Sequence, residues 1–211
     1  MNALTTWQRL LPVAALFTLA ACGQGADAGG SGDDTAAPAA EDVVYRGSIT
    51  VYQGVERDSA ELCAVVAESY PPQCSGPPVA GWDWDAVEHE EAQGVRWGTY
   101  VVAGTFDGKA FTVTEDPLTL DEIDLAEHPE LQYAEPEIGD PAEELSGAEL
   151  QAITDELVDR FPALVFGGYP DEAAGVAVVD TLLVSPELEA YAAEHFPEDA
   201  VAFAPVLRPA E

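Results

Sequence analysis

VRWGTYVVAGTFDGKAFTVT, residues 95–114, reads as a β-hairpin. Its first eleven residues are rich in β-branched and aromatic side chains, which suit a pleated and half-buried surface. Asp107-Gly108 supplies a tight turn, and residues 109–114 return as the partner strand. Upstream, residues 43–52 alternate. Val43, Tyr45, Gly47, Ile49 and Val51 fall on one face, and Val44, Arg46, Ser48, Thr50 and Tyr52 on the other. That period of two predicts a strand. Residues 59–68 are expected to form one or two helical turns that end before Pro71-Pro72, where proline stops a helix. Residues 42–115 are therefore expected to form a mainly-β module, a small sheet or an OB-like partial barrel.

Residues 115–144 differ in kind. They carry twelve acidic residues, four prolines and no Lys or Arg, and residues 116–145 are read as an extended acidic connector lying over the surface. A second module is expected over residues 146–211. Ser146 and Glu149 make an S-x-x-E capping box. Leu150, Ile153, Leu157 and Phe161 follow at helical spacing, and Pro162 ends that helix near Arg160. A short strand is expected at residues 164–166. The near-continuous apolar run GVAVVDTLLV, residues 175–184, predicts a strand covered on both faces. Ser185-Pro186 opens a second helix to about His195, and residues 200–207 form a last strand, on an edge because Pro205 lacks a donor. The fold class is α+β, with both helices of the second module on one face of its sheet.

The first 22 residues carry a different signal. A short polar start holding only Arg9 as a charge precedes the apolar run LLPVAALFTLA, too short to cross a bilayer but suited to a signal-peptide core. It ends in Leu19-Ala20-Ala21-Cys22, a bacterial lipobox, with small residues before the cut and a thiol after it to accept lipid. Residues 1–21 are thus read as a lipoprotein signal peptide and Cys22 as the site of lipid attachment. Residues 22–41 are small and polar and are read as a flexible tether. Two buried acyl chains, at about 0.8 kcal/mol per CH₂, hold a protein to a membrane stably where one chain would be reversible. With Cys22 assigned to lipid, Cys63 and Cys74 remain as an even pair in an oxidising compartment. They read as a structural disulfide in preference to free or catalytic thiols. Redox pairs are more typically Cys-x-x-Cys with a basic neighbour.

Charge restricts the partners. The chain has 40 acidic and 7 basic residues, and removal of the leader leaves six basic ones. Such a field repels nucleic acid and anionic headgroups, because their phosphates gain no Lys/Arg compensation, so nucleic-acid binding is excluded. The acidity itself is read first as a solubility device and second as attraction for a cation or a basic partner.

The block Cys63…Glu68-Ser69-Tyr70-Pro71-Pro72-Gln73-Cys74, with Gly76-Pro77-Pro78, Gly81-Trp82-Asp83 and Val95-Arg96-Trp97, resembles a family of uncharacterised actinobacterial secreted proteins and lipoproteins. The tail ending Val206-Leu207-Arg208-Pro209 is similar to theirs, so the likeness covers most of the chain beyond the leader. The resemblance implies secretion and the disulfide. It implies no activity.

No complete catalytic constellation emerges. His89-Glu90-Glu91-Ala92-Gln93 begins like a zinc-protease helix, but Gln93 stands where the second histidine is required. The segment reads as a solvated acidic turn. Asp83-Trp84-Asp85 resembles the start of a calcium loop, yet Val87 and Glu88 occupy the positions that need a ligand and a glycine. Of the three histidines, His89, His128 and His195, the last suits a helix C-terminus. Trp82, Trp84 and Trp97 are read first as core aromatics. Exposed together beside Asp83 and Asp85, they would instead form a recognition patch, and these five residues are the candidate ligand-binding set.

The sequence thus predicts a non-catalytic binding or accessory protein of the cell envelope, anchored by lipid to the outer face of the cytoplasmic membrane. Its expected partner is another envelope protein or a wall component. A divalent-cation or small-ligand sensor is the alternative, and a hydrolase with paired carboxylates the third reading. No cofactor, no catalytic residue and no metal-ligand set is expected.

Overall fold

The computed structural model describes residues 43–132 and 135–210. The leader, the tether and Cys22 lie outside the described residues. The architecture is mixed α+β. The first part of the chain contributes β1 Val44–Gln53, β2 Glu61–Cys63, β3 Val79–Ala80, β4 Glu90–Ala92, β5 Val95–Phe106, β6 Phe111–Val113 and β7 Leu118–Thr119. The second part contributes α1 Gly147–Arg160, β8 Val165–Asp171, β9 Val176–Thr181, α2 Pro186–His195, β10 Val201–Pro205 and β11 Arg208–Pro209.

The larger sheet runs β11-β1-β5-β6-β3, with β2 also on β1 and with β4 and β7 also on β5. The long antiparallel β1–β5 pairing, from Val44↔Thr105 to Gln53↔Arg96, is its spine. Alternation sends Tyr45, Ile49 and Val51 of β1 inward beside Tyr100 and Val102 of β5, each at most 3 % exposed. Each such side chain taken from water contributes about 1.5–3 kcal/mol. Of the two expected forms of the β module, the sheet is the one found. Among the described residues there is no closed barrel, since the sheet order ends at separate edges.

Two local expectations are corrected. Glu61–Cys63 is a strand, where residues 59–68 suggested helical turns. The free edge of β1 takes Tyr52↔Glu61, Val51↔Leu62 and Thr50↔Cys63, and this ladder outweighs a helix too short to nucleate alone. The segment read as an acidic turn contains β4, paired with β5 from Glu90↔Trp97 to Ala92↔Val95. Its loop is Gln93-Gly94, both with positive φ (54° and 78°), as a two-residue type I′ hairpin turn requires.

The smaller sheet has the order β10-β9-β8, with β8–β9 antiparallel and β9–β10 parallel. As expected, β10 is an edge and β9 is buried on both faces. Ala177 and Val179 join Leu150, Ile153 and Leu157 of α1 and Leu188 of α2 in the main core, and α1 packs against β8 and β9. Val176 and Val178 face the other way and pack with Ala202. α1 opens on the Ser146/Glu149 capping box, and α2 opens on Ser185, whose Oγ accepts from the Leu188 N–H.

Residues 43–115 and 146–210 share the main core, which runs from Tyr45 to Leu207. The link is the chain after β10. The N–H groups of Val206 and Leu207 donate to Thr181 and Leu182 carbonyls, and then β11 crosses to pair with β1. Gly47 permits this crossing. A Cβ there would lie 2.5 Å from the Val206 carbonyl oxygen and 2.8 Å from Leu207 Cδ2. The connector contributes β7 to the edge of β5, with Tyr100↔Thr119 and Val101↔Leu118, and sets a short 3₁₀ turn, Pro129–Leu131, against β1.

Candidate functional site

The five residues singled out from the sequence do not share one surface. Trp84 is 6 % exposed. Its indole Nε1 donates to Gln53 Oε1 at 2.6 Å, and Arg96 Nη2 donates to the same oxygen at 3.1 Å. The Arg96 guanidinium lies 5.5 Å from the Trp84 ring centroid, within cation–π range. Trp82 is half-buried, edge-on to Trp84 and Tyr100 at 5.5 and 5.0 Å. Trp97 points to the opposite face of β5, where it packs with Tyr52, Val95 and Cys63 under Tyr70. Asp83 and Asp85 are exposed, and Asp83 Oδ1 accepts from the Asp85 N–H to cap the 3₁₀ turn Trp84–Ala86. The tryptophans build the interior of the sheet on both of its faces.

Cys63 and Cys74 are disulfide-bonded, with Cα atoms 6.0 Å apart. His195 stacks on Tyr191, ring centroids 3.9 Å apart, in the last turn of α2. Among the described residues no group of three or more His, Cys, Asp or Glu is placed to hold a metal ion.

A concave site with a charged lining, not expected from the sequence, assembles around β11. β11 returns antiparallel to β1 with Arg46 directly opposite Arg208. Two of the six basic residues that follow the leader thus become cross-strand neighbours. Like charges in that relation repel. Three ion pairs occur among the described residues, Arg57–Glu61, His128–Glu130 and Arg160–Glu187, and neither Arg46 nor Arg208 belongs to one. Both line a cavity of about 260 Å³ together with Glu127, His128 and Glu130.

The connector supplies the opposite wall. The turn at Pro129–Leu131 sets His128 Nδ1 2.9 Å from Glu130 Oε1, and the Glu130 carbonyl accepts from Arg208 Nη1 at 3.4 Å. The His128 hydrogen bond, its own backbone N–H and the charges of His128 and Arg46 hold the Glu130 carboxyl below its ordinary range. A second cavity, about 360 Å³, adjoins through Arg208 and is lined by Ser48, Gln132, Phe166 and Asp180 among others. The site therefore presents two guanidinium forks, two carboxylates and an imidazole around a small concave space. Nothing in it is arranged as a nucleophile with its base.

Sequence reasoning missed this site because Arg46 and Arg208 are 162 positions apart. The one available signal was the rarity of basic residues. Comparison of the chain with family models, with curated proteins and with solved structures found no match.

Proposed function

We propose that this protein is a lipid-anchored, extracytoplasmic binding protein of the cell envelope, non-catalytic, with the Arg46–Arg208 cavity as its recognition site. The observation that carries the reading is the placement of two scarce guanidiniums, opposite each other and outside any ion pair among the described residues, at a concave surface. A protein with 40 carboxylates has abundant means to neutralise an arginine. Guanidiniums left outside the ion pairs of the described residues can donate to a ligand or partner, and their planar forks match carboxylate and phosphate geometry.

The lipobox at Leu19–Cys22 supports the envelope location and the tether, and the resemblance to secreted actinobacterial lipoproteins points the same way. The tether keeps the site within reach of membrane-proximal partners, raising their effective concentration. Of the candidate set, Trp82, Trp84 and Trp97 are engaged in packing, so substitutions at these three act through stability, while Asp83 and Asp85 are exposed.

In-cell photocrosslinking of the tagged, lipidated protein, with the probe at Ser48, tests this function. One dominant envelope partner, lost in Arg46→Gln/Arg208→Gln and diminished in the untethered Cys22→Ala form, is the expected result. Capture unchanged by the arginine substitutions would refute the site, and full function of Cys22→Ala in solution would refute the tether.

A further inference from the structure

Resting on the reading of this cavity as a recognition site, we infer that its ligand is a compact zwitterion: an α-amino acid, or the same carboxylate and ammonium chemistry at the ends of a short peptide. Charge complementarity carries the assignment. The Arg46 and Arg208 forks ask for an oxyanion, because the repulsion between them is relieved when both donate to one acceptor group. A bare anion is nonetheless disfavoured. Glu127 and Glu130 line the same space, and the chain as a whole carries a net charge of −33, a field that lowers the local concentration of any anion. A bare cation is disfavoured by the two guanidiniums.

A molecule holding a carboxylate and an ammonium a few bonds apart satisfies both walls and approaches with no net charge. Its carboxylate sits between Arg46 and Arg208, and its ammonium donates toward Glu127 and Glu130. His128, already hydrogen-bonded to Glu130, fixes that side chain's position. The space, about 260 Å³, has room for an amino acid or for the end of a peptide. The neighbouring cavity past Arg208, with Ser48, Asp180 and Phe166, gives a peptide room to continue.

The test is calorimetric titration of the full chain, expressed with its leader and purified in detergent. The probes are L-alanine, alanyl-alanine, acetate, methylammonium and inorganic phosphate. Saturable binding of alanine or alanyl-alanine is expected, with acetate, methylammonium and phosphate weaker by about tenfold or more. Tighter alanine assigns a free amino acid, and tighter alanyl-alanine assigns a peptide; each supports the inference. Arg46→Gln and Arg208→Gln are expected to remove the binding. Should either variant lose its cooperative melt, Arg46→Lys and Arg208→Lys replace them. These keep the charge, lose the planar fork and are expected to bind several-fold more weakly.

Acetate or phosphate binding as tightly as alanine would overturn the zwitterion assignment. So would alanine binding that survives the arginine substitutions, or no saturable heat from either alanine or alanyl-alanine. Crosslinking that still depends on Arg46 and Arg208 while alanine fails to bind would leave the recognition site standing and remove this ligand class alone.

Discussion

The hydroxyl of Tyr45 donates to the carbonyl oxygen of Val184 at 2.8 Å, tying the first strand to a residue 139 positions downstream. Tyr45 is 2 % exposed, and its burial, with the nearby charge of Glu189, raises its pKa above the ordinary tyrosine value. The bond closes a core to which both the larger sheet and the helices contribute.

Tyr45→Phe is therefore expected to destabilise the whole domain by about 1 kcal/mol, the typical net worth of such a hydrogen bond. Trp82, Trp84 and Trp97 report on the larger sheet, and the far-UV dichroism of α1 and α2 reports on the rest. In urea the two signals should fall together in both wild type and variant. Separate midpoints would mean that the two parts fold independently.

Gly47→Ala should cost more than its single methyl suggests. The added Cβ meets the Val206 carbonyl and the Leu207 side chain at 2.5 and 2.8 Å, and a backbone oxygen shared with the β10–β11 crossing has little freedom to move. Overpacking of this kind costs roughly 1–3 kcal/mol. Gly167→Ala is the control, since its Cβ would meet only Asp180 at 3.9 Å. Thermal melts should show several degrees lost for the first and little change for the second. Equal melting temperatures would show that the crossing is more pliable than its geometry implies.

Tyr100 sets an alkaline limit. Burial pushes its pKa up to about 12 from the ordinary value of 10.0, and its hydroxyl donates to the Glu88 carbonyl at 2.6 Å. Between pH 10 and 12 the unfolded chain has released this proton while the folded chain retains it. The folded state then binds more protons, so stability falls as pH rises through that window. Absorbance at 295 nm during alkaline titration should show a tyrosine ionising near pH 12 that is missing in Tyr100→Phe. Its appearance near pH 10, with the protein still folded, would contradict the burial.

The Cys63–Cys74 bond holds the loop that carries Tyr70 against Trp97, ring centroids 5.9 Å apart. The double substitution Cys63→Ala/Cys74→Ala should cost on the order of 3 kcal/mol through the freed unfolded chain. It should also raise acrylamide quenching of the Trp97 fluorescence, measured with Trp82 and Trp84 replaced by phenylalanine. Unaltered quenching would assign the loop's position to the ladder on β1 and not to the disulfide.

Local signals made much of the architecture legible. Tyr45 to Tyr52 alternate over one turn-free stretch, and Asp107-Gly108 closes the β5–β6 hairpin with Gly108 at φ 91°. Ser146 and Ser185 start the helices they were expected to start. Each of these decisions is made by neighbours a few residues apart. Residues 59–68 misled because their preference for a helical turn was weak, and the free edge of β1, 9 to 13 positions upstream, overrode it.

The α+β class, the two capped helices and the pairing of Cys63 with Cys74 are legible in the chain, because periodicity, caps and cysteine number are properties of short stretches or of the composition. The burial of Trp84 and Trp97 on opposite faces of β5, and the meeting of Arg46 with Arg208 beside the connector, emerge from the assembled fold alone. Those relations follow from strand register between segments up to 162 positions apart. Register is set by which long-range contacts bury the most apolar surface, and a one-residue slip would send Arg46 to the other face of the sheet.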